Sequence, residues 1–192
     1  MLTNRLILTI ALGALASSAY AQDQALSRDV KQQERIEAGL QSGQLNTREA
    51  GKLEKEESHV SHMEAKAMRD GSVSDAEAQR INSAQNAVSR DINQQKHDAQ
   101  RGNPNSASSQ RMQAAVQRDV NQQARIEQGV KSGELTNHEA ARMERGQAHV
   151  DRREARAASD GHVGARESER IQVAENHQSG RIFRQKHDRQ HN

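Results

Sequence analysis

Apolar residues recur along the chain at spacings that are mostly three, four or seven. Val30, Ile36 and Leu40 form one set, and Ala50, Leu53, Val60, Met63 and Ala67 a second. Val73, Ala76, Ile81, Ala84, Val88 and Ile92 form a third. Such spacings place each set on one stripe of a helix. Strict alternation is missing and β-branched pairs are few, so the fold class is all-α. Between the sets lies a short turn that is written four times. It reads Ser42-Gly43-Gln44-Leu45 with Glu49, and Asp70-Gly71-Ser72-Val73 with Glu77. It returns as Ser132-Gly133-Glu134-Leu135 with Glu139, and Asp160-Gly161-His162-Val163 with Glu167. Glycine ends a helix by taking the left-handed conformation, which predicts corners at Gly43, Gly71, Gly133 and Gly161. Asn46-x-x-Glu49, Ser74-x-x-Glu77 and Thr136-x-x-Glu139 then supply an N-cap and a glutamate that reaches back to it. Gly164-x-x-Glu167 is a weakened fourth copy.

The turns belong to a larger duplication. Residues 28–98 align without gaps on 118–188, an offset of ninety, and about half of the aligned positions are identical. Arg28-Asp29-Val30 matches Arg118-Asp119-Val120, and Lys96-His97-Asp98 matches Lys186-His187-Asp188. The stretch between the copies contains the chain's one proline, Pro104, amid Gly, Asn and Ser, the composition of a linker. The expected organisation is a first repeat over 22–100, a linker over 101–110 and a second repeat over 111–192. Each repeat is predicted to hold three helices joined by two corners. A unit of about 70 residues with an Ala-rich stripe gains only ~3–5 kcal/mol from its core. The units must therefore pack together, self-associate, or be covered by a partner.

Residues 1–21 read as a signal peptide. Arg5 precedes the apolar run Leu6–Leu15, and Ala19-Tyr20-Ala21 is an A-x-A cleavage site before Gln22. The run is shorter than the ~20 residues a membrane span needs, so an integral membrane protein is not expected. The expected location is periplasmic or secreted. There is no cysteine, so neither disulfides nor thiolate chemistry contribute. Leu, Ile, Val and Phe fall well under the ~20% level at which disorder becomes an issue. A formal net charge of only +2, well mixed along the chain, favours solvated helices over a disordered polyelectrolyte.

Candidate chemistry centres on the turns and on the nine histidines. The turns resemble the second half of an EF-hand calcium loop, where a mid-loop glycine is followed by an aliphatic and then a bidentate glutamate. The resemblance implies Asp70, Glu77, Asp160 and Glu167 as ligands of a weakly bound divalent metal, with no other cofactor expected. Lys66 and Met68, and Arg156 and Ala158, stand where that loop carries its first acids. Capping boxes at helix corners account for the same residues without metal. His59-x-x-His62, beside Met63 and Glu56, is a candidate transition-metal pair, although the second repeat has Arg152 where His62 stands. No nucleophile recurs beside a base, so no enzyme and no small-molecule substrate are expected. Nucleic acid is not expected either, since Phe183 is the one aromatic beyond the signal. The C-terminal end from Arg181 is basic and suits an anionic envelope surface.

Taken whole, the duplicated pattern S/D-G-x-L/V-x-x-x-E, followed by N-x-x-S-x-x-I-x-x-x-K-H-D, resembles small exported helical tandem-repeat proteins of Gram-negative bacteria without assigned activity. The resemblance implies export and helical character. The expected function is a non-catalytic envelope interaction or stress-related binding module, meeting a protein or envelope partner or a second copy of itself. The alternative is a divalent-metal-binding protein.

Overall fold

The computed structural model describes residues 10–188, with side chains from Gln22 onward. The expected signal peptide therefore lies outside the described residues over 1–9, and over 10–21 only its backbone is described. Six α-helices follow one another: α1 Ile10–Ser42, α2 Thr47–Ala67, α3 Asp75–His97, α4 Ala107–Lys131, α5 Asn137–Ala157 and α6 Ala165–Lys186. A 3-10 turn, Met68–Asp70, extends α2. No strand occurs among the described residues.

The corners form for the reasons the sequence suggests. Gly43, Gly71, Gly133 and Gly161 have φ of 72°, 92°, 74° and 91°, the left-handed region in which a side chain is strained. At the first and third corners the chain folds back so that Leu45 N–H donates to Gly39 C=O and Leu135 N–H to Gly129 C=O, both at 2.9 Å. The leucine side chain then lies on the helix it has just left. A Cβ at Gly39 or Gly129 would come within 2.6 Å of that leucine's Cδ1. Helices α2, α3 and α5 each begin with a full capping box, at Asn46/Glu49, Ser74/Glu77 and Thr136/Glu139. At α6 Gly164 has no side chain to offer, and only the return half forms, with Gly164 N–H donating to Glu167 Oε2 at 2.8 Å.

The stretch between the repeats is shorter than the expected linker. Ser106 caps α4 by accepting from Ser109 N–H at 3.1 Å, so residues 107–110 are the first turn of that helix. The remaining connection is pinned to the first corner, where Gly102 N–H donates to Gly43 C=O at 2.9 Å.

Of the three ways to cover the apolar stripes, the fold uses packing of one repeat on the other. Helix α2 runs antiparallel to α5: Gly51 lies against Ala158 at one end, and Met68 clusters with Ala140 and Ala141 at the other. Midway, Ser58 Oγ donates to Ala148 C=O at 2.9 Å, so a residue meets its own counterpart ninety positions on. Helix α1 pairs with α4 in the same sense, Ile36 and Leu40 clustering with Met112 and Val116, and Leu26 with Ile126. A residue that touches its own repeat mate lies near an internal two-fold axis. Helices α3 and α6 flank this four-helix centre, each held to the first helix of its own repeat. Gln32 Nε2 donates to Gln85 C=O at 2.7 Å, and its mate Gln122 donates to Glu175 C=O at 3.4 Å.

Candidate metal centre

Buried acids are interleaved with the apolar residues along the seam between α2 and α5. On α2 the stripe facing α5 carries Glu54, Glu57, Ser58, Ser61 and Glu64, interleaved with Leu53, Val60 and Ala67. On α5 it carries Glu144, Gln147, Asp151 and Glu154. Asp29 on α1 and Asp119 on α4 approach the same seam, and all these groups are buried. No Lys, Arg or His is among the buried described residues. The charge of these acids has no internal cation to balance it, and an unbalanced buried carboxylate is strongly disfavoured.

The acids sort into two sets related by the repeat. Glu54, Asp119 and Glu154 come from α2, α4 and α5, and place one oxygen each within 4.8 Å of the others. This is the one group of three potential metal ligands that close among the described residues. Shifting each member by ninety gives the second set, Glu144, Asp29 and Glu64. The ten residues from Glu54 to Glu64 separate the sets by roughly 15 Å along α2. Amides hold the acids in place. Gln33 Nε2 donates to Glu54 Oε2 at 3.0 Å, and its mate Gln123 donates to Glu144 Oε2 at 3.3 Å. Gln147 Nε2 donates to Asp119 Oδ1 at 2.6 Å.

The two sets differ in their neighbours: Glu57 lies near Asp29 where Gln147 meets Asp119, and Gln85 stands where the other set has Glu175. Around Asp29 and Glu64, Gln85 from α3 donates to Asp29 Oδ1 at 2.6 Å and to Glu64 Oε1 at 3.3 Å. Its repeat mate is Glu175, which brings a further carboxylate towards Asp119 and is paired with Arg118 at 2.8 Å. Glu154 thus has no amide donor. Apart from a proton it can share with Asp119, both its oxygens lack a hydrogen-bond partner, at 0% exposure. Glu54 Oε1 and Asp119 Oδ2 are also unpartnered.

Burial governs the protonation of these groups. It raises Asp29 and Asp119 to about 6, against the lowering effect of their hydrogen bonds to Glu64 and Gln85 and to Glu154 and Gln147. Burial, with Asp119 next, lifts Glu175 to about 7. Glu54, Glu57, Glu64, Glu144, Asp151 and Glu154 are all held well above the ordinary carboxyl range by burial first and by neighbouring carboxylates second. The core can take up protons or a metal cation, and either relieves the same repulsion.

The residues expected from the sequence lie elsewhere. Glu77 and Glu167 are engaged in the caps of α3 and α6. Asp70 Oδ1 accepts from Ser72 N–H at 3.3 Å and Asp160 Oδ1 from His162 N–H at 2.8 Å, each closing its own exposed turn. His59 and His62 are exposed on α2, where they line a surface cavity with Glu56 and Asp91. None of these six takes part in the three-carboxylate group. Two signals in the sequence point to the buried acids. Glu57 and Glu64 precede Val60 and Ala67 by three residues and so share their face. Asp29, Glu54 and Glu64 also recur as Asp119, Glu144 and Glu154, while exposed Glu34 and half-buried Glu56 become Ala124 and Gly146.

No helix among the described residues is long and apolar enough to cross a membrane. No family model, curated protein or solved structure matches the chain.

Proposed function

We propose that the protein binds a hard divalent cation, Ca²⁺ or Mn²⁺, inside its helical bundle, through Glu54, Asp119 and Glu154. The observation that carries this is the convergence of three fully buried carboxylates from three helices, with both oxygens of Glu154 lacking any donor. An all-oxygen, anionic donor set suits hard cations rather than Zn²⁺ or Cu⁺, which favour nitrogen and sulfur. Three carboxylates offer up to six oxygens, enough to replace most of a hydration shell. Gln33 and Gln147 act as positioning residues that hold Glu54 and Asp119 by hydrogen bonds from their amides. The metal reading thus keeps the divalent cation considered from the sequence and moves it from the turns to the core. The role is binding rather than catalysis, in a protein whose segment 1–21 directs it out of the cytoplasm; N-terminal sequencing of the processed chain is expected to begin at Gln22.

The test is a titration of chelator-treated protein at pH 7 with Ca²⁺, Mn²⁺ and Mg²⁺, followed by thermal melting and calorimetry. Metal at a hundred times its Kd is expected to add about 2.7 kcal/mol of stability. Glu154→Gln is expected to abolish that gain. A melt unmoved by millimolar Ca²⁺ and Mn²⁺ refutes the proposal.

A further inference from the structure

The two repeats differ most on one outer face. Between α5 and α6 runs a groove of about 660 Å³ lined by Arg142, Arg145, His149, Arg152, Arg181 and Arg184. It continues into a second cavity of about 540 Å³ that shares Gly146, His149 and Arg181 and adds Arg153, Arg170 and His177. These arginines are exposed, and the ion pairs seen among the described residues use other cations, Arg118, Lys131 and Lys186. Glu169 is the single acid along the whole groove. His149 reports the density of charge. Partial burial and then Arg153, Arg152, Arg156 and Arg181 lower its pKa, and its Nε2 accepts from Arg153 Nε at 3.1 Å. His149 Nε2 thus carries no proton where it meets the Arg153 guanidinium.

The equivalent face of the first repeat is of mixed charge. Arg181 replaces Asp91, Arg152 replaces His62, Arg153 replaces Met63, and Gly146 replaces Glu56. The cavity there is lined by Lys52 and Lys55, and by Arg152 and Arg156 reaching it from α5, together with the acids Glu56 and Asp91. One repeat has thus concentrated unpaired arginine where the other sets two acids among its cations, and holding so many like charges together is unfavourable unless an anion lies among them.

We infer that the α5/α6 groove binds a slender, linear chain of phosphates along its length. Guanidinium matches phosphate oxygens in a bidentate fork, which explains arginine rather than lysine at Arg142, Arg145 and Arg152, opposite Lys52, Lys55 and His62. The fourteen residues from Arg170 to Arg184 span about 21 Å of α6, a row of phosphates rather than one. The groove follows the length of α6, which suits a linear chain more than a compact anion. It also presents no aromatic for base stacking; the exposed Phe183 is stacked on His187 instead.

The probe is a short linear inorganic polyphosphate, with binding measured by calorimetry in EDTA so that no divalent cation bridges or competes. Native protein is expected to bind it with an affinity that falls steeply as NaCl rises. The double variant Arg152→His, Arg181→Asp carries the residues of the first repeat and is expected to weaken binding at least about tenfold, at an unchanged melting temperature. Lys52→Ala with Lys55→Ala, on the opposite repeat, is expected to change nothing. Equal binding by the arginine variant overturns the inference. So does equal or tighter capture of duplex DNA, or of vesicles of phosphatidylglycerol and phosphatidylcholine. Because metal is absent throughout, failure here leaves the buried carboxylate site untouched, and failure of that site leaves the groove untouched.

Discussion

Glu154 and Glu64 are the same residue of the repeat, yet their neighbours give them different tasks. Gln85 donates to Glu64, whereas the position that would serve Glu154 is Glu175. Glu64 therefore has a donor in place, whereas Glu175 is turned to Arg118 and leaves both oxygens of Glu154 without one. Glu154→Gln is therefore expected to abolish stabilisation by Ca²⁺ or Mn²⁺ and to raise the melting temperature of chelator-treated protein at pH 8. Glu64→Gln is expected to leave the metal response in place; melting curves with and without metal read both. Glycines make a sharper steric claim. Gly39→Ala would set a Cβ 2.6 Å from Leu45 Cδ1 and is expected to cost about 1–3 kcal/mol by overpacking, measured by denaturant unfolding.

Between elements, the closest approach is that of α2 and α5. A Cβ at Gly51 would lie 2.5 Å from the Cβ of Ala158, so Gly51→Ala must push the helices apart at the end that holds Glu54 and Glu154. The expected result is a loss of metal affinity together with a lower melting temperature, even though Gly51 offers no ligand. Helix starts allow a gentler test. Ser74→Ala is expected to cost about 1 kcal/mol, and Gly164→Ser, which supplies the missing half of the fourth box, to gain a few tenths. These corners and caps were legible in the sequence because each is settled within eight residues by local chemistry. The buried acids were not, because their fate depends on what faces them. Glu57 on an exposed stripe and Glu57 on an α2/α5 seam are written identically. Only the pairing of the repeats, set by Gly51 against Ala158 and Ser58 against Ala148, decides between them.

At the scale of the whole molecule, raised carboxyl pKa values determine how stability depends on pH. The folded state holds protons that the unfolded chain releases near pH 4, so their contribution is complete below that pH and is lost as pH rises. The loss runs through about 6 for Asp29 and Asp119 and about 7 for Glu175, and continues upward for the other buried acids. Chelator-treated protein is thus expected to melt higher at pH 5 than at pH 8, and Ca²⁺ or Mn²⁺ to recover the difference at pH 8. The two-fold packing makes a second claim on the whole. A chain of residues 22–103 leaves the α2 seam open, and size-exclusion with light scattering is expected to find it paired with a copy of itself, not as a folded monomer.

Such a self-paired half would carry two equal copies of every acid set and every outer face, because one sequence cannot be written differently on its two sides. Joining the halves through the connection pinned at Gly102 removes that restriction. Once covalently yoked, one side could keep Glu175 while the other took Gln85, and arginine could accumulate over α5 and α6 without burdening α2 and α3. The tether between the repeats is what lets a symmetrical clasp become a molecule with a front and a back.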